Sequence, residues 1–194
     1  MFTEENNNYW RNFSQLINAD FKERKFWYSA QATFNYKGYD MIFDHYTHHA
    51  ISGRGSVESF VTRVYCKFKC NMKLQLKMEE ATFTNKFLNI FNFNKLQTDY
   101  PDLNSRFIIT STKESLFKIM NLSIVEKIKD SNVKQLYIGS HDGIWGQTLD
   151  KNHYELATYI DRYYVKEGEL LKIKTLFEAL IDELIKKCYI EPLN

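Results

Sequence analysis

Residues 60–78, FVTRVYCKFKCNMKLQLKM, decide the fold because apolar residues occupy almost every even-numbered position. Basic and other polar residues stand between them. Successive side chains of a β-strand point to opposite faces, so this alternation predicts a strand with one buried face and one basic face. The segment is much longer than a typical strand of about 5 to 6 residues, so we expect a bend or bulge, or a break near Asn71.

The same period of two extends on both sides of this segment. Apolar residues alternate over residues 26–34 and 39–45, and Lys37-Gly38 between them predicts a tight two-residue turn. A second hairpin is predicted at His141-Asp142-Gly143, with residues 144–145 opening its second strand, because Asp-Gly suits a type I′ turn. These patterns are typical of an antiparallel sheet.

The middle of the chain mixes helical and strand patterns. Residues 83–91 return to helical spacing, Tyr100-Pro101 then breaks the chain, and residues 107–109 predict a short strand. Serine followed three residues later by glutamate predicts a capped helix start at Ser111 and again at Ser123.

Amphipathic helices are predicted at both ends. An apolar stripe at helical spacing places the first helix at about 8–21, and a broader stripe places the last at about 169–188. With the antiparallel strands between them, they predict an α+β fold in which helices pack on one face of the sheet. We expect residues 1–194 to form a single globular domain.

Composition excludes several classes of protein. The chain has 194 residues, of which 16% are aromatic, and only 7 Gly and 2 Pro, which argues against disordered and low-complexity proteins. A net charge of +2 gives no general reason to expect nucleic acid as a partner. We find neither a signal peptide nor an apolar run long enough for a membrane span, and therefore expect a soluble, cytoplasmic protein. The 3 cysteines are expected to be reduced, buried thiols.

Histidines and aspartates are densest in residues 44–49, where His45, His48, His49 and Asp44 form a candidate polar cluster for metal binding or acid–base chemistry. On a strand, His45 and His48 would point to opposite faces, and His45 and His49 would lie roughly 13 Å apart. Because metal ligands must converge, we predict no metal site and no bound cofactor.

The basic face of the long strand is the second candidate site. It would carry Arg63, Lys67, Lys69, Lys73 and Lys77. Evenly spaced cations can follow a phosphate backbone, but they also keep a solvated sheet from aggregating. The balanced total charge favours the second interpretation.

Several segments together resemble an uncharacterised family of bacterial domains, many of which follow an N-terminal membrane anchor. The resemblance covers about residues 26 to 190. It is carried by the turn at 36–39, the glycine loop at 52–56, Thr62-Arg63-Val64-Tyr65, and residues 102–109, DLNSRFII. This chain has Leu103-Asn104 where the family commonly has Phe-Asp. The resemblance implies no catalytic residues, because the family has no assigned chemistry.

The sequence contains no catalytic motif, and we therefore lean against an enzyme. The leading hypothesis is a soluble binding module for a protein partner, because aromatic residues often anchor interfaces. The alternative is a small-molecule-binding protein or enzyme with a pocket between the sheet and the C-terminal helix. Ligand identity and oligomeric state are not set by the sequence.

Overall fold

The fold is α+β, as predicted. The computed structural model describes residues 2–23, 29–52, 55–81, 95–112, 119–143 and 146–193. Its strands are β1 (Asp20–Lys22), β2 (Gln31–Tyr36), β3 (Tyr39–Ser52), β4 (Gly55–Lys69), β5 (Leu76–Glu80), β6 (Lys95–Leu96), β7 (Phe107–Ser111), β8 (Gln135–Gly139) and β9 (His153–Ile160). Its helices are α1 (Phe2–Ile17), α2 (Pro101–Arg106), α3 (Leu122–Ser131) and α4 (Glu167–Cys188).

All described strands join one sheet in the order β1-β2-β3-β4-β9-β8-β5-β7-β6, and every pairing among them is antiparallel. The long pair β3–β4 is next to β9, which arrives from the C-terminal half of the chain. Strand order therefore brings residues near 44, 65 and 155 together, although they are far apart in sequence.

One face of the sheet, called the covered face below, carries the apolar core. Met41, Phe43, Val64, Cys66 and Leu156 share this face through the strand register and are fully buried. The buried apolar residues of the four described helices belong to the same cluster of side chains. The opposite face, called the outer face, has a much smaller apolar cluster around Val61, Ala157 and Tyr159.

The terminal helices differ in how well their bounds were predicted. α4 begins at Glu167, close to the expected residue, and ends at Cys188. α1 begins at Phe2 and ends at Ile17, whereas the sequence predicted about 8–21. The helix stops early because Asn18 adopts a left-handed backbone conformation, with φ of 52°, and the chain then enters β1.

The turn and the break predicted in the strands are confirmed. Lys37 and Gly38 link β2 to β3, with φ values of 54° and 88°, so both residues have the positive φ that a type I′ turn requires. β4 ends at Lys69, and the chain passes through a bend at Asn71 before β5.

Two predicted boundaries in the second half are wrong. Helix α3 is capped by Asn121, whose side chain accepts a hydrogen bond from the Ile124 N–H, and not by Ser123. The Asp142-Gly143 turn lies in a longer loop, and within the described residues the strand that pairs with β8 begins at His153. Residues 144–145, predicted to open that strand, lie outside the described residues. Backbone hydrogen bonds from Asp142 to Gln147 and from Leu149 to Ser140 close that loop on itself.

Three further features complete the fold. Pro101, expected to break the chain, is the first residue of α2, where its missing N–H costs nothing. The helix predicted over 83–91 lies outside the described residues. So do residues 113–118, which follow the helix start predicted at Ser111, while Ser111 itself is the last residue of β7. None of the helices in the described ranges has the length and apolar composition needed to cross a membrane.

Candidate functional site

The structure separates the predicted histidine–aspartate cluster. Asp44 and His45 are neighbours on β3, and Asp44 pairs with Arg63 on the outer face, while His45 packs under α1 on the covered face. His48 and His49 lie in β3 with backbones paired to Ser59 and Glu58, and their side chains lie outside the described residues. Within the described part of the chain, no three His, Cys, Asp or Glu residues form a group that could hold a metal ion.

His45 is the centre of a buried aromatic cluster. Its ring stacks on Tyr163 with centroids 3.9 Å apart and on Tyr9 at 5.6 Å, and Trp10 and Tyr164 complete the surroundings. The Trp10 indole N–H donates to His45 Nδ1 over 3.2 Å. Because an indole nitrogen can only donate, Nδ1 is the acceptor and a neutral His45 carries its proton on Nε2. This geometry gives His45 a structural role.

Asn6 fixes the first turns of α1 to the sheet. Its fully buried side-chain amide contacts His45 Nδ1, donates to the Tyr163 hydroxyl over 3.1 Å, and accepts from the Ala30 N–H over 3.1 Å. The hydrophobic pattern of the sequence does not mark Asn6 as a site residue. The signal was present, because Asn6 lies four residues before Trp10 and so extends the buried stripe of the helix.

Above this cluster lies a groove that we call the α1 groove. It has a volume of about 560 Å³ and is lined by Glu4, Glu5, Asn8, Tyr9 and Tyr164. The Tyr9 and Tyr164 rings lie 5.1 Å apart, and Tyr164 is 37% exposed. Their positions are fixed from below, because both rings pack on His45.

Carboxylates surround the α1 groove. Burial raises the pKa of Tyr9 to about 12; the Val165 backbone opposes this rise, and Glu167 and Glu169 add to it. Burial also raises the pKa of Tyr164, with Glu5 as the next contribution. The Tyr9 hydroxyl donates to the Val165 carbonyl over 2.7 Å and accepts from the Val165 N–H over 3.1 Å. The groove is therefore an aromatic surface in a locally acidic part of a near-neutral protein.

The outer face holds a network of ion pairs. Arg63 binds Asp44 through two hydrogen bonds of 3.0 and 2.6 Å, and its guanidinium lies 4.1 Å from the centre of the Tyr65 ring. Lys67 binds Asp142 over 3.0 Å and lies 3.7 Å from Glu155. The loop that carries Asp142 therefore folds over the sheet.

Glu155 is the most perturbed acid in this network. Its side chain is fully buried, and neither carboxyl oxygen has a hydrogen-bond partner among the described residues. Burial raises its pKa to about 8, and the neighbouring Asp142 carboxylate favours the protonated form, whereas Lys67 favours the charged form. Partial burial opposes ionisation of Asp142, but Lys67 and Glu155 hold the pKa of Asp142 below its ordinary value. At neutral pH, burial and Asp142 therefore favour the protonated form of Glu155, whereas Asp142 is ionised.

The predicted basic face is not a continuous ladder of cations. β9 and β8 separate β4 from β5, so two strands lie between Lys77 and the β4 cations. Arg63, Lys67 and Lys77 are each in ion pairs, the last with Glu79 over 3.1 Å. Lys73 lies between the strands, and Lys69 lines a separate small pocket near the end of β4.

The remaining candidate sites are the three cysteines and the pocket expected between the sheet and the C-terminal helix. All three cysteines are buried, and none of them is in a disulfide bond within the described residues. Burial raises the pKa of Cys66 to about 12, so its thiol is protonated and unreactive at neutral pH. The α4 residues that face the sheet are packed into the core, and the cleft beside the first turns of that helix holds only about 140 Å³.

Comparisons with known proteins do not add a function. No protein-family model matches the chain, and no curated protein matches it. The resemblance to the uncharacterised bacterial family stays a prediction.

Proposed function

We propose that this protein is a binding module that takes up an arginine-bearing segment of a protein partner in the α1 groove. The observation that carries the proposal is the placement of two packed tyrosines, Tyr9 and Tyr164, in one concave surface with the carboxylates of Glu4 and Glu5. Aromatic rings and carboxylates are the two groups that a guanidinium binds best.

The aromatic part of the groove is preorganised. Tyr9 is held by two hydrogen bonds to Val165, and His45 supports both tyrosine rings from the buried side. A surface that is already ordered loses little conformational entropy when a partner binds. The protein itself shows the same contact elsewhere, because Arg63 lies over the Tyr65 and Tyr46 rings at 4.1 and 5.0 Å.

The charge of the groove selects a cation. Its lining includes two acidic residues and no basic one. Glu4 and Glu5 also stabilise the first turn of α1 through the helix dipole. Neutralising them can therefore fray the helix, and a binding test needs a stability measurement beside it.

The test is a titration with a labelled peptide of alternating glycine and arginine, followed by fluorescence anisotropy. We expect saturable binding that weakens with salt. The same peptide with citrulline in place of arginine keeps the shape without the charge and should bind much more weakly. Absence of saturable binding, or equal binding of the citrulline peptide, would contradict the proposal.

Matched variants assign the binding to the groove. Glu4→Gln with Glu5→Gln should weaken binding about fivefold to thirtyfold, the equivalent of about 1–2 kcal/mol. Tyr164→Ala should weaken it similarly, whereas Tyr164→Phe keeps the ring and should bind normally. The control, Glu126→Gln with Glu191→Gln, makes the same change in charge at exposed residues outside the groove. An equal loss in the control would show that only net charge matters.

A further inference from the structure

A second pocket lies on the outer face, away from the α1 groove. It has a volume of about 280 Å³ and is lined by Gly38, Asp40, Ile42, Tyr65, Lys67 and Leu193. The β2–β3 turn closes one side, and the C-terminal segment closes another, since Pro192 lies against Gly38. Its size is at the lower end for ligand pockets and suits a small molecule.

Two opposite charges face this pocket without neutralising each other. Met41 pairs with Cys66 in the β3–β4 register, so Asp40 and Lys67 follow as neighbours on the outer face. The Asp40 carboxylate accepts a hydrogen bond from the Asn35 side chain over 2.7 Å, whereas Lys67 turns to Asp142 over 3.0 Å. Among the described residues, no ion pair joins Asp40 to Lys67.

Lys67 keeps capacity for another anion. An ammonium group has three N–H donors, and Asp142 is the only carboxylate within 3.5 Å among its ion pairs in the described residues. The Glu155 carboxyl group lies 3.7 Å from the Lys67 ammonium group and is fully buried. Neither of its oxygens has a hydrogen-bond partner among the described residues. Because burial raises the pKa of Glu155 to about 8, its carboxyl group is largely uncharged at neutral pH and does not neutralise Lys67.

The remaining wall of the pocket is apolar. Ile42 and the ring of Tyr65 come from adjacent strands, and Leu193 comes from the C-terminal segment. A ligand that fits this lining has a carboxylate, a cationic group a few ångströms away, and a small apolar part. We propose that this pocket binds a free α-amino acid, with its carboxylate on Lys67, its ammonium group on Asp40, and an apolar side chain against Ile42, Tyr65 and Leu193.

The probe is L-leucine, titrated by isothermal calorimetry at neutral pH. We expect saturable binding. Leucinamide, which lacks the carboxylate, and 4-methylpentanoate, which lacks the ammonium group, should each bind at least about tenfold more weakly. No saturable heat up to the solubility limit of leucine would overturn the proposal. So would equal affinity for leucine and either analogue.

Variants test whether leucine binds in this pocket. Asp40→Asn changes an exposed residue, so this variant should fold normally. Lys67→Met removes the cation. Each of the two variants should lower the affinity for leucine at least about tenfold. Lys77→Met, on the same face but outside the pocket, is the matched control and should bind normally. If Lys67→Met does not fold, Asp40→Asn together with the leucine analogues decides the question. Unchanged affinity in Asp40→Asn would overturn the proposal.

Discussion

The two faces of the sheet handle polar groups in different ways. On the covered face, the amide of Asn6 and the ring of His45 lie among aromatic rings and contact each other. On the outer face, Asp44, Arg63 and Glu155 are charged or titratable and also buried or nearly so. Stability should therefore come mainly from packing on the covered face, whereas sensitivity to pH should come from the outer face.

The largest expected effect is on the covered face. Phe177 is fully buried in the middle of α4, so Phe177→Asp would place a carboxylate in the core at a cost above about 4 kcal/mol. We expect no soluble protein with a cooperative melting transition. Leu122→Asp is the control, because Leu122 is an apolar helix residue that is 60% exposed and should tolerate the change. A normal melting curve for Phe177→Asp would show that α4 is peripheral.

The next effect is the pH dependence of the outer face. The pKa of Glu155 rises from 4.5 to about 8 on folding, so the folded protein holds a proton that the unfolded chain releases in this interval. The free energy of unfolding should therefore fall as pH rises from about 4.5 to 8, by on the order of a few kcal/mol.

Glu155→Gln isolates this contribution. The variant keeps a neutral group of the same shape, so its stability should change less between pH 5 and pH 8 than that of the parent protein. Urea denaturation at the two pH values measures the difference, and Glu126→Gln at an exposed site should behave like the parent. Identical pH dependence in the parent and in Glu155→Gln would argue against a protonated Glu155.

A smaller effect is expected from His45 on the covered face. His45→Phe leaves the Trp10 N–H without its acceptor, which should cost about 1–3 kcal/mol. In a Trp10→Phe background that donor is already gone, so His45→Phe should cost less there. Urea denaturation of the four proteins gives the coupling energy. Equal costs in both backgrounds would show that the hydrogen bond contributes little.

The smallest effect concerns nucleic acid. Because Arg63 and Lys77 are engaged in ion pairs, and two strands lie between Lys77 and the cations of β4, we expect only non-specific binding of oligonucleotides, with dissociation constants of about 10⁻⁴ to 10⁻⁶ M or weaker. Lys69→Glu with Lys73→Glu should scarcely change a titration at two salt concentrations. Tight binding that disappears in this variant would restore the basic residues as a functional surface.

Elements that are specified by a local sequence pattern were predictable from the sequence. Side-chain alternation located β2, β3 and β4, Lys37-Gly38 located the turn between β2 and β3, and the amphipathic stripe located α4. The strands β1, β6 and β9 were not predicted. The start of α1 was missed because its buried face begins with a polar residue, Asn6, that hydrophobic periodicity does not count. The cap at Asn121 was missed because Ser123 and Glu126 offered a competing pattern.

The candidate sites depend on strand order, which hydrophobic periodicity does not encode. Lys67 meets Glu155 only because β9 returns next to β4. The α1 groove needs Tyr164 to lie over the first turns of the chain, far away in sequence. His45 does not join Asp44 in a polar site, since Asp44 lies on the outer face and the described side chains around His45 are aromatic rings and an amide.

The most direct test of the α1 groove as the partner site is a ¹H–¹⁵N correlation spectrum recorded during titration with the glycine–arginine peptide. We expect the largest shifts at residues 4–9 and 163–167, which form the groove and its support, and little change at Asp40, Ile42 or Lys67 on the outer face. Shifts centred on the outer face, or spread evenly over acidic residues of the whole surface, would contradict the proposed function.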